Sequence, residues 1–171
     1  FLEAHKEEIN TAYNLMADDF SKKIFAGYVN FLFGGELGAL QAITTPQDEA
    51  FFEVLKLGEY ETYVDIGAYR GDTVDAFLGY TNGKYSNIIC AEPDTKSYNK
   101  LTDHCSHLQG FKAVNCAVTD VDGDVYFSNV HGRQSSLGGD TLTPSVTLST
   151  LIGRYSPTYI KIDSEGCENE I

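Results

Sequence analysis

The sequence predicts an α/β domain with a mostly parallel sheet and flanking helices, preceded by a helical segment. After about residue 59, apolar runs of strand length alternate with stretches of helical periodicity, which is typical of parallel strands joined by right-handed crossovers. One such unit, from Tyr63 to Thr73, has the pattern of a strand, a glycine-containing turn and a helix. In open α/β sheets this arrangement usually binds a nucleotide-like ligand. We therefore expect a helical segment at residues 1–58 and a ligand-binding domain at residues 59–171.

The helical segment is predicted from apolar residues spaced three or four apart, which lie on one helix face. Asp18, Asp19 and Ser21 interrupt this pattern and are typical of a helix start, so two helices are expected before Gly34 and Gly35. Thr45-Pro46 then predicts the beginning of another helix, which ends at Gly58.

The strands and helices of the domain follow from β-branched apolar runs and amphipathic stretches between turn residues. Strands are expected at Thr62–Ile66, Asn87–Ala91, Lys112–Val118 and Thr158–Ile162, and helices at Thr73–Tyr80 and Thr95–Cys105. Before the fourth of these strands, Val125-Tyr126-Phe127 is expected to be a short strand, residues 132–139 a loop, and residues 146–148 extended or the start of a helix. A doubly wound sheet normally continues beyond such a fourth strand, so we expect further C-terminal strands that this sequence does not contain.

The charge of the chain disfavours two classes of partner, nucleic acids and anionic membrane surfaces. It has 25 acidic and 12 basic side chains, a formal charge of −13, which repels nucleic-acid backbones and anionic membrane surfaces.

No apolar run is long enough to span a membrane, and the first residues lack the layout of a secretion signal. The four cysteines form no C-x-x-C pair, so we expect reduced, structural thiols in a cytoplasmic protein.

The turn after the first strand contains the first candidate site residues. Gly67 allows the chain to leave the strand with a positive φ, and Gly71 has no Cβ, so that a ligand or the sheet can approach. Asp72 or Thr73 can cap the helix that follows. An ordinary strand–turn–helix without a ligand is the alternative interpretation.

Glu92 ends the second strand, 21 residues after Gly71 (92 − 71). A carboxylate at this position and distance suits a ribose, since its two oxygens can accept from the 2′ and 3′ hydroxyls. The alternative is a surface glutamate before Pro93.

The ligand class follows from the turn sequence. A dinucleotide fingerprint requires a middle glycine, but here Ala68 and Tyr69 stand in that region. Asp65 would repel a pyrophosphate and suits a cationic amine. S-adenosylmethionine has an amine, a sulfonium and a ribose but no phosphate, and it therefore fits better.

A second acidic group follows the fourth strand. Asp163 and Glu165 are expected at the carboxyl edge of the sheet, where they can orient an acceptor hydroxyl and one can take its proton. Helix capping is the alternative role for both. Two carboxylates without a histidine supply few ligands for a metal ion, so we expect no metal at this edge.

Several blocks of the sequence resemble the FkbM-type S-adenosylmethionine-dependent methyltransferases. The similar blocks are Val64–Thr73, Cys90–Pro93, Ala117–Asp120 with Gly123, Ser135–Leu137 and Ile160–Glu168. They occur in the family's order over roughly residues 60–171. Cys167 departs from the small residue that the family often has there.

The resemblance implies a class I, Rossmann-like methyltransferase fold and methyl transfer to a hydroxyl oxygen, often on a sugar or secondary metabolite. It implies that Asp163 and Glu165 face the methyl group and the acceptor. The cofactor contacts that it implies are Asp65, Gly67, Ala68, Gly71 and Thr73 at the methionine end, Glu92 and Pro93 at the ribose, and Ala117 and Asp120 near the adenine.

Two other functions stay open on the sequence. One is a dinucleotide-dependent oxidoreductase, and the other is a non-catalytic binding domain that kept the fold. The sequence defines neither the small-molecule or saccharide acceptor nor the oligomeric state.

Overall fold

The computed structural model of the chain describes residues 3–46, 49–128, 136–137, 139–164, 168 and 171. The chain divides into two compact units, Phe1–Leu55 and Lys56–Ile171. The first unit contains the helices α1 (Lys6–Leu15), α2 (Asp19–Gly34) and α3 (Leu37–Gln41) and a π-helical segment (Ala50–Leu55).

The break between α1 and α2 confirms the predicted cap. The carboxylate of Asp18 accepts hydrogen bonds from the backbone N–H and the hydroxyl of Ser21, both at 2.8 Å, which satisfies a free donor of the first turn. Gly35 ends α2 with a φ of 68°. The predicted helix after Thr45-Pro46 differs, because the described residues from Ala50 onward are π-helical and end at Leu55 rather than Gly58.

None of the described residues of the first unit is buried. No helix in the described part of the chain is long and apolar enough to cross a membrane.

The second unit is built on a parallel sheet of four strands in the order β3-β2-β1-β8. The strands are β1 (Thr62–Ile66), β2 (Asn87–Ala91), β3 (Phe111–Val114) and β8 (Tyr159–Ile162). Helix α4 (Asp72–Tyr80) connects β1 to β2, and α5 (Thr95–Cys105) connects β2 to β3. The predicted strands Thr62–Ile66 and Asn87–Ala91 and the predicted helix Thr95–Cys105 are confirmed.

Both faces of this sheet are covered, which explains why its central strands β1 and β2 are buried along nearly their whole length. On one face Tyr63 stacks on Phe77 of α4 and on Tyr159 of β8, with ring centroids 4.5 and 5.0 Å apart. The other face contains Val64 and Ile66 and packs against Leu151 of the short helix α6 (Leu148–Ile152).

A second sheet has the strand order β4-β7-β5-β6. Its strands are β4 (Ala117–Thr119), β5 (Gly123–Ser128), β6 (Ser136–Leu137) and β7 (Thr141–Thr147). It includes the predicted short strand at Val125-Tyr126-Phe127, while most of the predicted loop at residues 132–139 lies outside the described residues. Residues 146–148 form the end of β7 and the first residue of α6.

The prediction of one strand over Lys112–Val118 is wrong, because this run is divided between the two sheets. β3 pairs with β2 and β4 pairs with β7, with Asn115 and Cys116 between them. The side chain of Asn115 donates to the carbonyl oxygens of Glu92 and Pro93 at 2.8 and 3.1 Å, and so it fixes the break beside the end of β2.

The thiols of Cys90, Cys105 and Cys116 are free and buried, as predicted. Burial raises the pKa of all three above the usual thiol range. Cys167 lies outside the described residues.

Candidate functional site

The candidate site lies where the strand order of the parallel sheet reverses. From β1 the chain runs outward through β2 and β3, and it then returns to pair β8 with the other side of β1. The carboxyl ends of β1, β2 and β8 therefore flank the crevice in which open α/β sheets bind their ligands.

The close approach of the chain after β8 explains the first glycine of the β1–α4 turn. Gly67 has a φ of +77°, and a Cβ added there would lie 2.0 Å from the carbonyl oxygen of Asp163. The backbone N–H of Asp163 donates to the carbonyl oxygen of Ile66 at 3.0 Å, which keeps the two segments together. Gly67 is thus required both by its left-handed conformation and by the lack of space.

The second glycine of the turn accommodates a helix. Gly71 has a φ of +95°, and an added Cβ would meet the thiol sulfur of Cys105 on α5 at 2.9 Å. The close approach at Gly71 is therefore made by α5, whereas the sequence suggested a ligand or the sheet.

Asp65 is fully buried at the end of β1. One of its carboxylate oxygens accepts a hydrogen bond from the hydroxyl of Thr73 at the start of α4. The other lies 3.1 Å from the ammonium of Lys161 on β8, which is the cross-strand neighbour of Asp65. The structure thus brings Asp65 and Thr73 together and also gives the carboxylate a cation from within the chain.

The predicted capping of α4 by Asp72 or Thr73 is wrong. Gly71 is the N-cap residue, and it has no side chain that could cap the helix. The hydroxyl of Thr73 is used by Asp65 instead.

Glu92 connects the end of β2 to the turn after β1. Its Oε2 accepts from the backbone N–H of Tyr69 at 2.8 Å, and its Oε1 accepts from that of Asp94 at 2.9 Å. The side chain is only 6% exposed, and burial raises its pKa to about 7 against the opposing effect of these hydrogen bonds. Tyr69 itself has a φ of +49°, an uncommon conformation for a residue with a side chain.

Of the two acidic residues predicted after β8, Asp163 is among the described residues. The carboxylate of Asp163 is 66% exposed, and its Oδ2 lies 3.7 Å from the ammonium of Lys161. Glu165 lies outside the described residues.

The remaining predicted cofactor contacts lie in different surroundings. Ala68 is fully buried among the residues that pack α4 and α5 on the sheet, and its N–H donates to the carbonyl oxygen of Ala91 at 3.2 Å. Pro93 follows Glu92 and accepts from Asn115. Ala117 is buried in β4 of the second sheet, and Asp120 is exposed directly after that strand. No hydrogen bond or ion pair between described residues joins Ala117 or Asp120 to the β1–α4 turn.

Two residues of the site, Lys161 and Asn115, were not among the sequence-predicted contacts. Lys161 is the only basic residue in its strand, and an isolated charge in an apolar strand is the signal that could have indicated it. Asn115 is likewise a polar residue inside an apolar run. Within the described residues no group of three or more histidine, cysteine or acidic side chains could hold a metal ion.

Comparison with solved structures identifies the fold. The structure of methyltransferase FkbM from Methylobacillus flagellatus KT is similar over 99% of this chain, with a TM-score of 0.78 and 20% sequence identity. The chain spans 44% of the length of that protein. No protein-family model matches the chain, and no curated protein sequence matches it.

A second solved structure, trans-methyltransferase CalH in complex with SAH, aligns with 66% of this chain and 39% of its own length. The identity is 12% and the TM-score is 0.28, so the two folds do not superimpose well enough for a comparison of their sites.

The class of fold is therefore established: a parallel sheet flanked by helices, of the Rossmann-like methyltransferase type. The particular fold is the one seen in that solved structure of methyltransferase FkbM, and the match includes the N-terminal helices.

Proposed function

We propose that this chain contains the cofactor site of an S-adenosylmethionine-dependent methyltransferase that transfers a methyl group to a hydroxyl oxygen of a sugar or secondary metabolite. The observation that carries the proposal is the hydrogen bond between Glu92 and the N–H of Tyr69. It joins a buried carboxylate at the end of β2 to the glycine-containing turn after β1, at the point where the strand order reverses. This is the position at which such folds bind an adenosine-containing ligand.

The charges around the turn support a cofactor without phosphate. Asp65 lies at the end of β1, and Asp72 and Asp75 lie in the first turn of α4. A pyrophosphate normally binds at a helix N-terminus through its N–H groups, and acidic side chains in that turn would oppose it, although Asp65 has Lys161 as a counter-charge and Asp75 lies 2.9 Å from His104. The sulfonium and amine of S-adenosylmethionine are cationic and are attracted by the same field.

Glu92 has capacity left for a ribose. Each of its oxygens accepts one backbone N–H and retains a lone pair for a hydroxyl group. Two hydroxyl donors stabilise the ionised carboxylate, so we expect ligand binding to lower its pKa from about 7.

The chemistry of the transfer requires little of the protein beyond orientation and a base. S-adenosylmethionine supplies a methyl group on a sulfonium, which is a strong electrophile. Asp163, at the exposed edge after β8, would take the proton of the acceptor hydroxyl while the hydroxyl oxygen bonds to the methyl carbon; the carbon–sulfur bond would break in the same step and leave a neutral thioether. Glu165 is proposed to assist at the same edge.

Isothermal titration calorimetry of the 171-residue chain with S-adenosylhomocysteine tests the proposal. We expect saturable binding, weakened about tenfold or more by Glu92→Gln because an ionised acceptor of ribose hydroxyls is lost. Glu92→Ala is expected to weaken it further, since the anchor of the Tyr69 N–H is removed as well. Glu59→Gln, which affects only an exposed ion pair with Lys84, is the matched control and should bind normally.

Three outcomes would contradict the proposal in different ways. Absence of binding, or unchanged binding by Glu92→Ala, would exclude this cofactor site. Enhancement of NADH fluorescence on mixing would favour the oxidoreductase alternative. Binding without methyl transfer to any hydroxylated acceptor would favour a binding domain without catalysis.

A further inference from the structure

Lys161 occupies the centre of the candidate site although no role was assigned to it from the sequence. Its ammonium donates to the carbonyl oxygen of Gly67 at 2.9 Å and lies 3.1 Å from Oδ1 of Asp65. A third oxygen, Oδ2 of Asp163, is 3.7 Å away. The Lys161 side chain is 18% exposed and Asp65 is fully buried, so the contact between these two forms largely away from water, whereas Asp163 is 66% exposed.

The first consequence of this position is electrostatic. Asp65 is fully buried, and a buried carboxylate without a counter-charge is strongly unfavourable. The hydroxyl of Thr73 satisfies one oxygen as a neutral donor, whereas Lys161 supplies the opposing charge at the other. Lys161 therefore supplies the counter-charge for a carboxylate that is placed at the buried end of β1.

The second consequence is geometric. Lys161 holds the carbonyl of Gly67 from β8, and the N–H of Asp163 holds the carbonyl of Ile66 from the same segment. These two bonds tie consecutive peptide groups of the β1–α4 turn to one strand. A turn held in this way meets its ligand already formed, which lowers the ordering cost of binding.

We propose that Lys161 is a positioning residue of the cofactor site, which acts by offsetting the cost of burying the Asp65 carboxylate and by holding the Gly67 carbonyl, without contacting the cofactor itself. This rests on the proposed function, because the ligand concerned is S-adenosylmethionine. The larger part of the effect of Lys161 on affinity is therefore transmitted through Asp65, and the smaller part through the Gly67 carbonyl.

A double-mutant cycle on the full 171-residue chain distinguishes this role from a purely structural one. We expect Lys161→Met to lower the affinity for S-adenosylhomocysteine about tenfold or more in the unsubstituted background. In the Asp65→Asn background, where no carboxylate needs a counter-charge, the same substitution should lower it by less than about threefold. Lys161→Arg keeps the charge and should bind within about threefold of the unsubstituted chain.

Lys84→Met is the matched control, since Lys84 forms an exposed ion pair with Glu59 at a distance from the turn, and it should leave affinity unchanged. An equal loss in both backgrounds would overturn the proposal, because the bond to the Gly67 carbonyl alone would then account for the effect and Asp65 would have no part in it. Full affinity of Lys161→Met would overturn it as well.

Two further results keep the test decisive. If Lys161→Met does not fold, the double variant Asp65→Asn/Lys161→Met should fold and bind like Asp65→Asn, and failure of this variant overturns the proposal. If the unsubstituted chain does not bind S-adenosylhomocysteine, the proposed function fails, and the same cycle measured by urea unfolding decides whether Lys161 and Asp65 are coupled.

Discussion

Alanine substitution of three glycines with positive φ separates backbone conformation from lack of space. Gly83, at a φ of +72°, has no atom within 4 Å of an added Cβ. Gly83→Ala therefore measures the conformational cost alone, roughly 1–2 kcal/mol. Gly71→Ala adds a contact of 2.9 Å with the Cys105 thiol, the end of a side chain that can shift, and we expect about 2–3 kcal/mol.

Gly67→Ala adds a backbone collision to the same conformational cost. The Cβ would lie 2.0 Å from the carbonyl oxygen of Asp163, against an ordinary contact of at least 3.4 Å, so the chain after β8 must move by about 1.4 Å (3.4 − 2.0). Such a shift weakens the Asp163–Ile66 and Lys161–Gly67 hydrogen bonds, each with a net contribution of about 1 kcal/mol. With the conformational term, the loss in the free energy of unfolding is about 3–5 kcal/mol.

Urea unfolding followed by near-ultraviolet circular dichroism is a suitable assay. The chain has no tryptophan, and the stacked rings of Tyr63, Phe77 and Tyr159 report on the unit that contains the site. The reasoning requires the order Gly83, Gly71, Gly67 in increasing loss, with unchanged dependence on urea concentration. A Gly67→Ala variant no less stable than Gly83→Ala would refute the close approach of the Asp163 carbonyl.

Two more predictions concern the end of β2. Burial raises the pKa of Glu92 from 4.5 to about 7, so the folded state binds this proton more tightly than the unfolded chain does. The protonated side chain therefore contributes up to about 3 kcal/mol to the free energy of unfolding. This contribution is fully present below pH 4.5 and is lost as the pH rises through 7. Glu92→Gln should remove that decline in urea unfolding between pH 5 and 8, and a persisting decline of the same size would assign it to another group. Asn115→Ala should cost about 1–3 kcal/mol because the carbonyls of Glu92 and Pro93 lose their donor. Asn115→Asp, which keeps the shape but cannot donate, should not restore stability, and restoration would show that packing matters instead.

The parallel sheet was predictable because its strands are short, apolar and bounded by turn residues. Thr62–Ile66 and Asn87–Ala91 are buried along nearly their whole length, and their composition reflects that burial directly. The division of the Lys112–Val118 run could not be predicted in the same way. Both halves are apolar, and the break depends on hydrogen bonds from Asn115 to carbonyls more than 20 residues earlier in the chain.

The candidate site shows the same limit. Glycine at positions 67 and 71 and the acid at position 92 are local signals of a turn and a strand end, and they were recognised as such. What approaches each glycine is a tertiary fact: the backbone of Asp163 in one case and the thiol of Cys105 in the other. The pairing of Lys161 with Asp65 likewise depends on β8 lying beside β1, which the order of elements along the chain does not reveal.

The position of β8 beside β1 also has a kinetic consequence. The bond from Lys161 to Gly67 joins residues 94 positions apart, whereas β1 and β2 are linked by a single helix. Contacts of long sequence separation carry the larger loop-closure cost and form late in folding. β1 and β2 can thus pair early, while the Asp65 carboxylate is still hydrated. The carboxylate is buried only when β8 pairs with β1 and brings the Lys161 ammonium next to it. During synthesis, the bond from Lys161 can form only after the chain has been extended by 94 residues beyond Gly67.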